Sequence, residues 1–213
     1  LATGIFGGTF DPVHIGHLRT ALELKQHLHL ASMRLIPSGD PPHRDTPRTA
    51  AADRLAMVEL AVAGEPGLVA DGREVARPGP SYTIDTLREL RAEVGHTEPL
   101  CLCLGMDSLV NITTWVRWRE FLDYAHIVVA ARPGWTLPAG GQLPAWLAQH
   151  RTAEPEALLN RAGGLVYLAE MTLLPVAATD LRAALARGES IRYLTTDGVL
   201  TYIGAHHLYE QSL

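Results

Sequence analysis

The sequence predicts an α/β fold, a doubly wound parallel sheet with helices on both faces. Three observations predict it. Short apolar runs alternate along the chain with longer stretches of helical period. Those runs are almost continuously apolar, which suits strands buried on both faces rather than strands with one wet face. The composition, 47% hydrophobic but 6% aromatic, is that of Ala- and Leu-rich helices packed on a sheet, and 213 residues suit one domain with a real core.

Taken in order, the strands are expected at residues 3–6, 33–36, 68–70, 100–104, 126–131 and 165–168. Helices are expected between and after them at 17–28, 51–63 and 84–94, then as shorter pieces at 108–112 and 118–122, and finally at 180–186 and 196–209. Residues 133–164 break the rhythm: Gly140, Gly141 and the prolines 138, 144 and 155 read as a surface insertion carrying one or two short helices. The expected organisation is a single domain over 1–213, with 179–213 as a small helical C-terminal part. Ligands of such sheets bind at the carboxyl ends of strands, near the point where strand order reverses.

The bulk properties exclude several classes. The net charge of -5 is spread without blocks, and no basic stripe marks a nucleic-acid surface. No apolar stretch reaches spanning length and no secretory leader is visible, so a cytoplasmic protein that engages no membrane is expected. Cys101 and Cys103 would share one strand face as small buried core residues, and no metal-ligand spacing is present, so no protein-held metal is expected.

The chemistry is concentrated between Gly4 and His17. A strand ending at Phe6 is followed by Gly7 and Gly8, which permit a turn and let a ligand approach the backbone. Pro12 biases Asp11 towards an extended conformation, and a helix starts near Gly16 or His17. His14 and His17 thus stand at the positive end of a helix. The helix dipole disfavours cations there, and two protonated imidazoles would repel each other. An anion removes both objections, and the first free N–H groups of the helix add donors. The string therefore specifies a phosphate site. It lacks the lysine of a Walker loop and the third glycine of a dinucleotide fingerprint.

The run from Gly7 to His17 resembles the signature of the HxGH nucleotidyltransferase superfamily. With Pro41-Pro42-His43-Arg44, Ser81-Tyr82-Thr83-Ile84-Asp85-Thr86-Leu87, Gly105-Met106-Asp107-Ser108-Leu109, Trp115, Arg132-Pro133-Gly134 and Thr179-Asp180-Leu181-Arg182, the chain resembles the bacterial nicotinate-nucleotide adenylyltransferase family over nearly its whole length. The resemblance implies a Rossmann-like nucleotidyltransferase that joins ATP and nicotinate mononucleotide into nicotinate adenine dinucleotide, releasing pyrophosphate, with Mg2+ accompanying ATP.

The resemblance also implies roles. His14, His17 and Arg182 would be catalytic, holding ATP phosphates and developing charge. Gly7, Gly8, Thr9, Phe10, Gly105, Asp107 and Thr179 would bind ATP. Asp107 would accept hydrogen bonds from ribose hydroxyls, with a plain helix N-cap as the structural alternative. Thr179 reads as the N-cap of its helix, with Arg182 in the first turn, facing ligand and leaving no buried partner unpaired if removed. The family's serines at 177 and 178 are alanines here. Trp115 would stack on the pyridine ring, whereas Trp118 reads as packing. N–H groups and hydroxyls at Thr83 and Thr86 would receive the nicotinate carboxylate, and His43, Arg44 and Arg132 the mononucleotide phosphate. A sister enzyme with another acceptor and a non-catalytic nucleotide sensor are the competing readings. Homo-oligomerisation is left open.

Overall fold

The computed structural model describes residues 1–42, 46–132, 134 and 140–210. Seven strands among them form one sheet in the order β3-β2-β1-β4-β5-β7-β6. They are β1 (Thr3–Gly8), β2 (Ser32–Pro37), β3 (Leu68–Ala70), β4 (Leu100–Gly105), β5 (His126–Ala131), β6 (Arg151–Thr152) and β7 (Val166–Glu170). Every pairing is parallel. The chain winds outward from β1 through β2 to β3, then returns to start β4 on the other side of β1. The order therefore reverses between β1 and β4, and a crevice opens past their carboxyl ends.

Strand alternation builds two cores. Cys101 and Cys103 of β4 and Val128 and Ala130 of β5 face one side of the sheet. There they meet Ala21 and Leu24 of α1 (Ile15–His27), Met57 and Val58 of α2 (Ala51–Val62), Leu181 of α8 (Ala178–Ala186) and Val199 and Ile203 of α9 (Asp197–Ala205). Leu100, Leu102 and Leu104, with Ile127 and Val129, face the other side. They pack on Ile84, Leu87 and Leu90 of α4 (Thr83–Val94), Leu109 of α5 (Met106–Asn111) and Phe121 of α6 (Phe121–Tyr124). Each fully buried Leu, Ile or Phe contributes about 1.5–3 kcal/mol of transfer free energy. The shared face of the two cysteines is as expected. Both thiols are free, and burial raises Cys101 to about 12 and Cys103 well above the ordinary thiol value.

Three features differ from the sequence expectation. The short α3 (Arg73–Ala76) was not foreseen, because four residues give no periodic signal. Residues 133–164 do not lie wholly on the surface. Their described part carries α7 (Leu143–His150), whose Leu143, Trp146 and Leu147 are buried, a 3-10 turn at Pro155–Asn160, and β6, which pairs with β7. A two-residue strand is invisible to period-2 reading, and the glycines and prolines masked the apolar anchors. Finally, β1 does not end at Phe6 but runs through both glycines, with Gly7 opposite Ile36 and Gly8 opposite Pro37.

Candidate active site

The loop after β1 turns at Phe10, not at the glycines. Phe10 is buried with φ of 51°, while neither Gly7 nor Gly8 has a positive φ. A non-glycine residue held there costs about 1–2 kcal/mol, so the surrounding contacts must enforce it. The glycines provide space instead. A Cβ at Gly7 would meet nothing within 4 Å, which leaves backbone open to a ligand, and one at Gly8 would come 3.0 Å from the Phe10 ring.

His14 is the N-cap of α1 and His17 its third residue. The two imidazoles stack with centroids 3.7 Å apart, and Phe10 meets the His17 ring edge-on at 5.0 Å. The His14 N–H donates to His17 Nδ1 at 3.4 Å. His14 is buried, and among the described residues its Nδ1 finds no hydrogen-bond partner. Burial lowers its pKa from 6.5 to about 4, so the ring is neutral near pH 7. A buried, unpartnered imidazole nitrogen beside a helix N-terminus suits a ligand oxygen. Gly16 makes room for it: a Cβ there would stand 3.0 Å from His14 Nδ1 and Cε1.

Two cavities meet at this loop. The larger, about 1110 Å3, is lined by Phe10, both histidines, Asp107, Arg132, Thr179 and Arg182. The smaller, about 130 Å3, lies over the other core and is lined by Ser81, Tyr82, Thr83, Thr86, Leu87 and Trp115. Gly7, Gly8, Thr9, Gly105 and Ser108 line both. The strand-order reversal thus carries a two-lobed site whose shared wall is the ends of β1 and β4.

Most residues singled out in the sequence converge here, with corrections of detail. Asp107 is not an N-cap. Gly105 holds that position in α5, and Asp107 stands exposed one residue into the helix. Thr179 is likewise not the cap of α8. Ala177 is, without a side-chain bond, which places Thr179 second and Arg182 fifth in the helix. Arg182 does have a protein partner: it donates to the buried Asp11 carbonyl at 2.7 Å and approaches Thr179 Oγ1 at 3.4 Å. The Thr86 hydroxyl is not available as first expected. It donates to Glu74 Oε1 at 2.6 Å and accepts from Arg77. Its N–H bonds the Tyr82 carbonyl at 3.4 Å, so the N–H groups ahead of it in α4, at Thr83 and Ile84, are the end-of-helix donors. Trp115 is half-buried, edge-on to Phe121, with its remaining surface in the smaller cavity. Trp118 is packed against Trp146. Arg132 lies with the histidines in the larger cavity. His43 and Arg44 lie outside the described residues.

Sequence reading missed four supports. Glu74 is buried in the wall of the smaller cavity, and burial raises its pKa against the opposing bond from Thr86. Tyr209, from beyond α9, donates to Asp11 Oδ1 at 2.7 Å, and Arg48 N–H donates to Asp11 Oδ2 at 2.8 Å. Arg54 of α2 is 1% exposed and donates to three carbonyls, those of Thr9, Gly39 and Thr49. Its burial was the available signal only in part: an arginine on the apolar face of a predicted helix invites a partner.

The chain matches the cytidylyltransferase-like family over residues 5–184, and with this fold and site it is a nucleotidyltransferase. Within that class, curated relatives match almost end to end. A protein of Cellvibrio japonicus is 50% identical over 97% of this chain and 97% of its own, and one of Pseudomonas aeruginosa strain UCBPP-PA14 is 48% identical over 97% and 96%. Both carry the name "Probable nicotinate-nucleotide adenylyltransferase". The chain belongs to the nicotinate-nucleotide adenylyltransferase family. A solved structure of the Plasmodium falciparum nicotinic acid mononucleotide adenylyltransferase complexed with NaAD shares the fold, with a TM-score of 0.71, 15% identity, and coverage of 98% of this chain and 97% of that one.

Proposed function

We propose that the two lobes bind the two substrates of one adenylyl transfer: ATP in the larger lobe, nicotinate mononucleotide in the smaller. The observation that carries this reading is the shared wall of Gly7, Gly8, Thr9, Gly105 and Ser108, which brings both lobes to one point. A phosphate oxygen of the mononucleotide attacks the α-phosphorus of ATP. The bond from that phosphorus to the bridging oxygen breaks, and pyrophosphate leaves. The nucleophile is already anionic, so no strong base is needed, and catalysis rests on positioning and charge stabilisation.

His14 and His17 donate to ATP phosphate oxygens, and Arg182 and Arg132 add positive charge along the larger lobe. The loop backbone of Gly8, Thr9 and Phe10 lies against the α-phosphate, and Asp107 accepts from ribose hydroxyls. Trp115 stacks on the pyridine ring, and the Thr83 and Ile84 N–H groups receive its carboxylate. Mg2+ fits as a companion of the nucleotide, where it neutralises phosphate charge; no group of three or more His, Cys, Asp or Glu side chains among the described residues forms a cage for it. No described helix is long and apolar enough to cross a membrane; a cytoplasmic location is part of this reading.

The test uses ATP chirally labelled at the α-phosphorus with nicotinate mononucleotide. The expected result is one dinucleotide per pyrophosphate, with inversion at phosphorus. Retention would point to two displacements and a covalent intermediate, against this reading.

A further inference from the structure

The loop that binds phosphate in this reading is held from outside, one carbonyl after another. The Gly8 carbonyl accepts from Ser38 N–H at 2.9 Å, Thr9 from Arg54 Nη1 at 2.7 Å, Asp11 from Arg182 at 2.7 Å, and Val13 from the Thr195 hydroxyl at 2.9 Å. Arg54 stands apart from the others. It lines neither cavity, and its remaining donors tie two further segments of the site wall. Nη2 reaches Gly39, next to Ser38 of the smaller cavity, and Nε reaches Thr49, next to Arg48 of the larger one.

The geometry of the peptide unit gives that contact a consequence. The described chain has its cis bond at Asp11-Pro12, so the Thr9–Phe10 peptide is trans. In a trans peptide the carbonyl of one residue and the N–H of the next point in opposite directions. With the Thr9 carbonyl turned to Arg54, the Phe10 N–H is turned away from Arg54. Rotating that peptide plane by half a turn would reverse both groups and shift Phe10 φ by a similar angle. Phe10 would leave positive φ for negative φ, where non-glycine residues ordinarily lie. The φ preference of Phe10 therefore favours the flipped peptide, and the Arg54 bond opposes it.

We propose that Arg54 is a positioning residue, which locks the Thr9–Phe10 peptide so that the Phe10 N–H faces the ATP phosphates. The inference rests on the adenylyl-transfer reading. It adds that part of the catalytic electrostatics is held by a buried side chain that touches no substrate. Burial of the guanidinium works against its charge, and the nearby Asp11 carboxylate partly offsets that, so Arg54 remains a strong donor to neutral carbonyls.

The test combines kinetics with a spectroscopic signature. Arg54→Gln and Arg54→Lys are assayed well below their own melting midpoints. Expected is a fall in kcat of about tenfold or more for Arg54→Gln, with KM for both substrates within about threefold, and partial recovery in Arg54→Lys, whose ammonium can still reach one carbonyl. In wild-type protein labelled with 15N-phenylalanine, the Phe10 amide is expected to shift on saturation with α,β-methylene-ATP, and in Arg54→Gln to respond weakly. Unchanged kcat in both variants would overturn the proposal. So would a silent Phe10 amide in wild type that binds the analogue by calorimetry, and that measurement decides the matter even if neither variant folds. Failure of wild type to bind the analogue at all would instead overturn the adenylyl-transfer reading.

Discussion

The two lobes of the site are built by different means. The larger is centred on one contiguous stretch, the end of β1 through the first turn of α1, and is completed by Arg48, Asp107 of α5, Arg132 beyond β5 and the first half of α8 with Arg182. The smaller is assembled from scattered pieces: the start of α4, Glu74 of α3, Trp115 after α5 and the loop after β2. In the first, His14 lines the cavity and its Nδ1 has no protein partner among the described residues. In the second, polar side chains of the wall are tied to each other, as Thr86 is to Glu74 and Arg77. In the proposed reading, phosphate recognition therefore rests mainly on neighbours in the chain, whereas acceptor recognition rests on the folded wall.

The largest expected effect falls in the larger lobe. His14→Ala and His17→Ala should each lower kcat by about 2.7–4 kcal/mol of transition-state stabilisation, roughly a hundredfold to a thousandfold. Thermal stability should change less, since the His14 Nδ1 has no partner to lose among the described residues and the bond that the His17 Nδ1 accepts from the His14 backbone N–H is long, at 3.4 Å. Near-normal kcat in both variants would show that the histidines merely pack, and the contrast between the lobes would collapse.

Next is a pH effect from the same residue. His14 titrates near 6.5 when unfolded and at about 4 when folded without nucleotide. Below pH 6.5 the unfolded chain binds a proton that the folded one refuses, so the contribution is full above pH 6.5 and is lost as pH falls towards 4. By pH 5 the loss is about 2 kcal/mol. Urea denaturation of wild type and His14→Gln at pH 7 and pH 5 isolates it, because the buried His126, also lowered by burial, is common to both. A difference that stays flat with pH would mean His14 is not held neutral.

Arg182→Ala should show a mixed effect. It removes charge from the larger lobe and leaves the Asp11 carbonyl without its donor, so stability falls by about 1–2 kcal/mol while kcat/KM for ATP also falls. A lower melting temperature with unchanged kcat/KM would make Arg182 purely structural.

How much of this was legible in the sequence follows the same division. The clustering of the histidine pair and the glycines at one strand-to-helix turn, the place of Asp107 and Trp115 in the cavity walls, and the positions of six of the seven described strands could be read from contiguous patterns. Arg54, Glu74 and Tyr209 could not. Their partners lie 45, 12 and 198 positions away, and the place of Arg54 on the apolar face of its helix signals burial without saying which groups it binds. The helix cap was misread at Thr179, and the alternative of a cap at Asp107 fails, because Ala177 and Gly105 hold those positions without a side-chain bond. The Gly7-Gly8 pair was read as a turn because glycine's conformational freedom and its lack of bulk look the same in a sequence.

The smallest expected effect tests the smaller lobe. Trp115→Ala should raise KM for nicotinate and nicotinamide mononucleotides alike, by about fivefold to tenfold, since stacking reads the ring and is worth about 1 kcal/mol. KM for ATP should stay nearly unchanged. A rise confined to ATP would place Trp115 on the wrong side of the shared wall.

The most direct test of the two-lobe account is kcat/KM of the wild-type protein for nicotinate against nicotinamide mononucleotide, at fixed ATP. N–H donors at the start of α4 favour a carboxylate over a neutral amide, and a site built around such bonds rejects an analogue that leaves them poorly paired. The account predicts a preference of about tenfold or more for nicotinate. Equal use of the two would contradict the assignment of the smaller lobe, and release of pyrophosphate with neither would contradict the account as a whole.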